Sequence, residues 1–549
     1  MSEEKLDVTY LINLYNGHQS IAERAESYQL QHIHVRTKLD ELIIEWLNDG
    51  KDIILTGNPG DGKTHLLRYL ELPANVEREM DASQKNPDEV LKAWRNCRQK
   101  GLRFVLAINH APLRSLAGVA ANDPMFRPLY DVILTPNRSV SAIDNFIIYS
   151  DEQASHFTNN NNGANLKIQI VDLSQREILT GEVISSLLNK LYPLAANASC
   201  SSGIKEQCGR CPLHDNAQAL ANSQVQKNLT FILTLVARRG FHATMRDLVG
   251  LLAFILTGGT TCEELWRKNA LEDLPDYDNY DYYNLLFRGR SPLFDAVRRT
   301  FDPGVYSDPE IDLKLWSGDV NTDWLVNRPI GENGPLINLS DLRTAKRRYF
   351  LEHYEPVVNK YRRMVTGISQ EFLDLLTSTD SETAVQNLIE KINLFYAPLS
   401  KSKVGNYRDR LYLWNQHRYS VSGQLPGYIA MRSLSSSSLQ IYHPRLNPIY
   451  GDAVDVRQDH VLLAVQNWLP GDAALRVDWE MFKSLWDAKQ GMAIEVQPYS
   501  ILRRLDLFLR SLGSEAGNWS SIETIKWGDY RRRNEITIKV DRRKAAYRE

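Results

Sequence analysis

Residues 51–70 read KDIILTGNPGDGKTHLLRYL. Within them Gly57-Asn58-Pro59-Gly60-Asp61-Gly62-Lys63-Thr64 matches G-x-x-x-x-G-K-[ST] in full. The flanks agree with the motif: DIILT is a short apolar strand and THLLRYL an amphipathic helix. Glycines in such a loop let backbone N–H groups curl around phosphates, and the helix N-terminus adds partial positive charge. The pattern predicts a phosphate cradle over residues 57–65, His65 included, with ATP and Mg²⁺ as cofactors. Lys63 is expected to reach the β- and γ-phosphates and Thr64 to ligate Mg²⁺.

Hydrolysis also needs an acid at the end of a neighbouring strand, usually with a second acid beside it. Three candidates follow the loop: Asp81 in NVEREMDAS, the pair Asp151-Glu152 in NFIIYSDE, and Asp172 in LKIQIVDLSQRE. After Asp81 come a helix pattern, PDEVLKAWRNCRQKG, and a strong strand, LRFVLAIN, ending in Asn109. That order resembles AAA+-like ATPases, where the acid strand is followed by a helix and a strand ending in a polar sensor. Asp81 is therefore preferred as the magnesium acid and Asn109 as the sensor, with Asp172 on the last core strand. Asp81 is followed by Ala82 and not by Glu, so the usual water-activating acid is missing from its usual place.

A second helix carries a related signal. In FHATMRDLVGLLAFILTGG, Thr244 is an N-cap with Asp247 three residues on, and Gly258 and Gly259 end the helix. Arg246 falls in the first turn, where a cation opposes the helix dipole. In AAA+-like proteins an arginine there reaches the γ-phosphate, so Arg246 joins Lys63, Asp81 and Asn109 as a candidate catalytic residue; a solvated arginine is the alternative. Arg238, Arg239, Arg288, Arg290, Arg298 and Arg299 could supply an arginine finger in trans. Between core and lid, CSSGIKEQCGRCPLH offers Cys200, Cys208, Cys211 and His214, a complete tetrahedral set for structural Zn²⁺. The Cys208–Cys211 knuckle is the specific part, the Cys200 and His214 spacings are unusual, and free thiols in a loop are the alternative. Cys97 and Cys262 read as isolated core cysteines.

The chain has 549 residues, enough for roughly three to four domains, and is 43% apolar and 24% charged. A net charge of −2 provides no global field toward nucleic acid. No run of apolar residues is long enough for a membrane span, and MSEEKLDVTY has no secretory pattern. Five cysteines, three of them within twelve residues, fit a reducing cytoplasm and argue against a disulfide framework. The fold class expected is α/β, an AAA+-like P-loop NTPase core with a helical lid, then helical and mixed α+β C-terminal regions. The expected divisions are a helical lead-in (1–50), the core (51–177), the lid with its cysteine knuckle (178–262), an irregular linker (263–335), a helical region (336–404) and a mixed domain (405–549). No internal repeat stands out.

Two basic runs interleave with tyrosines: RTAKRRYFLEHYEPVVNKYRRM, with Arg343, Lys346, Arg347, Arg348, Lys360, Arg362 and Arg363, and the tail YRRRNEITIKVDRRKAAYRE. Such runs can neutralise DNA phosphates, and solvated helix faces look the same. No nuclease motif is found. The pieces GDGKTHLLR, MDASQ, FVLAINHAPL, IVDLSQRE, CGRCPLHDN and HATMRDLVGLLAFIL run in one order across residues 51–257. That order resembles the DptF-type ATPases of DNA phosphorothioation-dependent restriction, a bacterial anti-phage defence, with a weaker echo in LYLWNQHRY and VDWEMFKSLWDAKQG. The resemblance implies ATP binding, DNA-directed restriction with partner subunits, contact with double-stranded DNA directly or through them, and a bacterial cytoplasm. It does not imply that this chain cuts DNA. A STAND-like nucleotide switch with little turnover and a scaffold with a structural P-loop are the alternatives, and a homo-oligomer stays open.

Overall fold

Strand β1 (Asp52–Thr56) is buried at every position, and alternation along it sends side chains to two opposite faces. Ile54 packs with Val90, Trp94 and Leu116 on one face, while Ile53 and Leu55 pack with Ile43, Leu66 and Leu67 on the other. A strand buried on both faces reads as the continuous apolar run IILT, as parallel strands under two helix layers do. In the computed structural model β1 lies between β3 (Arg103–Ala107) and β4 (Ile168–Asp172), with β2 (Val76–Glu79) outside β3. The order is β2-β3-β1-β4 and every pairing is parallel, with Ile53 beside Val105 and Thr56 beside Asp172. The fold is thus mixed α/β around a parallel four-stranded sheet, with helices Lys38–Asn48 and Lys63–Tyr69 on one face and Pro87–Gln99 and His110–Ala120 on the other.

The described residues are 6–17, 26–134, 167–196, 211–265, 280–305, 339–353, 360–378, 381–396, 407–416, 428–443, 458–467, 473–492, 496–515, 522–526 and 538–540. The candidates Asp151-Glu152, Cys200 and Cys208, the Asn-rich stretch 159–162 and the basic tail around Arg531 and Arg542 lie outside them. Two compact units divide the chain, one reaching Val365 in its main run and the other starting at Thr366. That division falls inside the stretch 336–404, which the sequence presents as one helical region.

In the first unit a second, all-helical core joins helices Val8–Asn16, Gly181–Ala196, Pro212–Leu220, Ser223–Arg238 and Met245–Thr257. Residues 280–305 belong to it, with helices Tyr282–Leu285 and Pro292–Thr300 and with Phe294 and Phe301 buried. Asp, Asn and Pro content suggests an irregular linker for this segment, but its aromatic side chains bury too much apolar surface for one. In the second unit, β5 (Arg410–Gln416), β6 (Tyr428–Ser435), β10 (Ile522–Lys526) and β11 (Ile538–Val540) form one antiparallel sheet. β7 (Leu439–Tyr442), β8 (His460–Val465) and β9 (Ala474–Asp478) form another. Asn393 is fully buried there and donates to the Tyr407 and Arg410 carbonyls while accepting from Tyr412 N.

Asp52, at the start of β1, ties the sheet to its helix layer. Its carboxylate is wholly buried and accepts from Trp94 Nε1 at 2.7 Å and Phe104 N at 2.9 Å, with Arg98 at 3.4 Å. Burial pushes this carboxyl above the usual range against the opposing Arg98 charge. Removing it takes the acceptor from the buried Trp94 indole N–H and a carboxylate from beside Arg98. Asp52→Ala is expected to cost about 3 kcal/mol, read as an earlier urea transition in tryptophan fluorescence. Asp52→Asn, which keeps one acceptor, should lose less. A wild-type transition in Asp52→Ala would show the tie to be idle.

Candidate functional site

The loop between β1 and helix Lys63–Tyr69 turns on glycines. Gly57, Gly60 and Gly62 have φ of 142°, 98° and 97°, where a side chain is strained. Asp61 closes the turn by accepting from Asn58 N at 2.6 Å. Lys63 is buried, and its ammonium donates to the Asn58 carbonyl at 2.8 Å and the Gly57 carbonyl at 3.2 Å. Burial holds its pKa below the ordinary lysine value, while Asp61, Asp81 and Asp172 oppose that shift and Arg246 adds to it. Five charges spread over 186 residues of sequence thus share one electrostatic neighbourhood, counting from Asp61 to Arg246.

The acids stand on the outer strands. The Thr64 hydroxyl donates to the Met80 carbonyl at 3.2 Å, which brings Thr64 next to Asp81. Asp81 accepts from Ser83 N and Gln84 Nε2, and the Ser83 hydroxyl accepts from Asn109 N at 2.9 Å. Asp172 repeats this at the end of β4, accepting from Ser174 N and Gln175 Nε2. The sequences DASQ (81–84) and DLSQ (172–175) are therefore one turn used twice, a four-residue repeat too short to register as an internal repeat. Asp172 has a further partner, His110 Nε2 at 3.0 Å. Burial works against the Asp172 charge, but His110 and Ser174 hold its pKa below the ordinary value.

Helix Met245–Thr257 meets the loop directly. Arg246 N donates to the Gly60 carbonyl at 3.3 Å, and His242 Nε2 lies 3.0 Å from Asp61 Oδ1. The capping box predicted at Thr244 and Asp247 is present, with each side chain bonded to the other's backbone. A cleft of about 430 Å³ opens between loop and lid, lined by Lys63, Thr64, Asp81, Asn109 and Arg246 among others. Its far wall comes from Ile33, His34 and Val35, ahead of β1. His65 lines the cleft too; it stacks on His34, which bonds Asp40 at 2.7 Å. Burial and the His34 neighbour push His65 down to about 4, so it is neutral near pH 7.

Lys63, Thr64, His65, Asp81, Asn109 and Arg246 thus line one cleft, while His242 reaches Asp61 and His110 reaches Asp172 beside it without being among its lining residues. No protein-family model matches this chain, no curated protein matches it in sequence, and no solved structure matches it in fold.

The cysteine cluster is only partly described. Cys211 N-caps helix Pro212–Leu220 and packs against Leu213 and Leu265, as does Cys262. His214 is exposed on that helix and is not part of this cluster. Among the described residues no group of three metal-ligating side chains gathers. Cys97 is buried in the sheet's helix layer, as the sequence suggested. The first basic run is partly spent inside the protein: Lys346 is buried and Arg347 pairs with Asp302 at 2.6 Å. Arg239 donates to the Thr300 carbonyl and Arg298 to the Gly289 carbonyl, uses that compete with a finger role.

Gly60 carries the lid contact. A Cβ there would lie 2.9 Å from Thr244 Oγ1 and 3.3 Å from Arg246 Cβ, at a φ that side chains avoid. Gly60→Ala should cost about 1–3 kcal/mol in thermal unfolding. Gly118→Ala, inside helix His110–Ala120 with open space around it, should be neutral or stabilising by up to about 1 kcal/mol. Equal effects at the two positions would contradict a strained loop held against the lid.

Proposed function

We propose that this chain is an ATP-binding and ATP-hydrolysing subunit of a bacterial DNA restriction or anti-phage defence complex, with an AAA+-like P-loop core and lid. Turnover or occupancy gates assembly or DNA engagement by partner proteins. The observation that carries the nucleotide reading is the Thr64 bond to the Met80 carbonyl, next to Asp81, with Thr64 and Asp81 lining the same cleft. Hydroxyl and carboxylate oxygens are the donors Mg²⁺ prefers. When bound, Mg²⁺ neutralises charge across the β- and γ-phosphate oxygens. Lys63 would exchange two backbone carbonyls for phosphate oxygens, Asn109 would orient the γ-phosphate from β3, and Arg246 would reach it from the lid. The defence setting rests on the ordered motifs over residues 51–257 and on no matching relative. With Lys346 and Arg347 engaged internally, partner-mediated DNA contact is favoured over direct contact through this run.

A STAND-like switch with little turnover is the second reading. Ala82, where a water-activating Glu is expected, favours it. Binding of a fluorescent ATP analogue and phosphate release, each with and without duplex DNA, separate the two. Lys63→Ala should lose binding, and Asp81→Asn should keep binding with Mg²⁺ dependence weakened and turnover lost. Tight retention without DNA-stimulated turnover in the wild type supports the switch. Unchanged binding in Lys63→Ala would remove the nucleotide reading.

A structural Zn²⁺ on the Cys208–Cys211 knuckle belongs to the same proposal, with Cys200 and His214 as the remaining ligands. Metal analysis of the purified protein should give one zinc per chain, lost in Cys211→Ser. Retention in His214→Ala with loss in Cys262→Ser would transfer the fourth ligand to Cys262. A metal-free folded protein would end the zinc proposal.

A further inference from the structure

Resting on the ATPase reading, the geometry points to His110, oriented by Asp172, as the general base that activates the attacking water in place of the missing glutamate. His110 follows the last residues of β3, and Asp172 ends β4. These two strands flank β1 on opposite sides, so strand spacing alone separates them by about 10 Å. A 3.0 Å bond between His110 Nε2 and Asp172 Oδ1 must therefore cross the width of β1 at its C-terminal end, where the phosphate loop begins. The loop root touches the same turn: a Cβ on Gly57 would lie 3.2 Å from Ser174 N and 3.5 Å from Leu173 Cβ.

Other described groups around the loop are engaged elsewhere: His65 Nε2 lies 3.1 Å from His34 Nδ1, and His34 Nε2 lies 2.7 Å from Asp40. Asp61 is nearly sealed from solvent and is held by Asn58 N and His242. Asp81 stands beside Thr64 on the magnesium side. Lys63 and Arg246 are cations. His110 retains a 40% exposed side chain, and Asp172 engages Nε2, so Nδ1 is the nitrogen left to take a proton. Asn109, the adjoining residue, lines the cleft; His110 and Asp172 are not among its lining residues and border it through Asn109 and Leu173.

The step balances on water, ATP and this pair. A water oxygen lone pair forms the bond to the γ-phosphorus, and the bond from that phosphorus to the β,γ-bridging oxygen breaks, its electron pair leaving with ADP. The water proton passes to His110 Nδ1, and the imidazolium is stabilised by Asp172. The proton then goes to solvent. The Asp172 hydrogen bond raises the His110 pKa; burial and Lys63 oppose the rise, and Asp61 adds to it. A base must be neutral to act, so turnover should climb as pH rises through a value above that of ordinary imidazole.

Phosphate release from MgATP and binding of a fluorescent ATP analogue, measured from pH 5.5 to 9 on the full chain, test this. His110→Ala should keep analogue binding and lose at least about 100-fold in turnover, with the pH inflection abolished. Asp172→Asn should lose a smaller factor and shift the inflection down. Near-wild-type turnover in His110→Ala overturns the proposal and leaves the ATPase reading standing. A wild type that binds the analogue without turnover, even with DNA, overturns it in favour of the switch. A wild type that binds no nucleotide removes both. Should His110→Ala misfold, His110→Gln keeps an N–H toward Asp172 without a basic nitrogen, and the same readings decide.

Discussion

A buried ammonium needs partners, and the site is arranged around that need. Lys63 sits at the root of a helix, where the dipole also disfavours positive charge. Two loop carbonyls accept its hydrogen bonds, and three carboxylates surround it at longer range. Each carboxylate comes from a different element: Asp61 from the loop, Asp81 from the end of β2, Asp172 from the end of β4. The cation can hold that position only if the sheet order brings both outer strands' acids toward the same loop. The glycine turns follow from the same constraint, since only backbone at positive φ folds carbonyls back onto the helix's own first lysine.

The two Asp-x-Ser-Gln turns give the sheet a near-symmetric end. Each aspartate caps a short 3-10 turn and spends part of its acceptor capacity on the backbone two residues on. What differs is the remaining neighbour. Asp81 follows Met80, whose carbonyl takes the Thr64 hydroxyl, while Asp172 bonds the His110 imidazole. One local motif thus meets two different neighbours, set by whether the facing chain is helix Lys63–Tyr69 or helix His110–Ala120. Ala82 is buried in the core that also holds Val90, Leu91 and Trp94, where a charged side chain would be costly to desolvate.

Local signals in the sequence carried the loop, the sheet's two-faced burial, Asp81 with Asn109, and the lid helix with its cap. The loop, the strands and the helix cap rest on spacing within about twenty residues, the range over which periodicity and capping act, whereas Asp81 and Asn109 were paired by the order of elements. The rest depended on pairings that leave no such trace. Thr64 finds Asp81 through the Met80 backbone carbonyl, which no side-chain pattern encodes. His110 and Asp172 are 62 residues apart, and only the strand order brings them together. Cys262 read as isolated because Cys211, its neighbour in the Leu213 and Leu265 cluster, lies far upstream. Residues 280–305 misled through polar composition, although their Tyr and Phe content was the stronger physical fact.

The contact between Gly60 and the start of helix Met245–Thr257 joins the two cores of the first unit. The Gly60 carbonyl accepts from Arg246 N, Asp61 meets His242, and no Cβ fits between Gly60 and Thr244. If the loop binds phosphate as proposed, the phosphate would draw Lys63 away from the Gly57 and Asn58 carbonyls, in a neighbourhood shared by Asp61 and Arg246. Helix Met245–Thr257 is buried along most of its length against Leu14, Leu187 and Phe294, so it moves as a packed body or not at all. Under the proposed ATP reading, occupancy would be coupled to the helical core through the Gly60 and Asp61 contacts, among others. A loop that bends without that glycine's freedom would lose the coupling before it lost the fold.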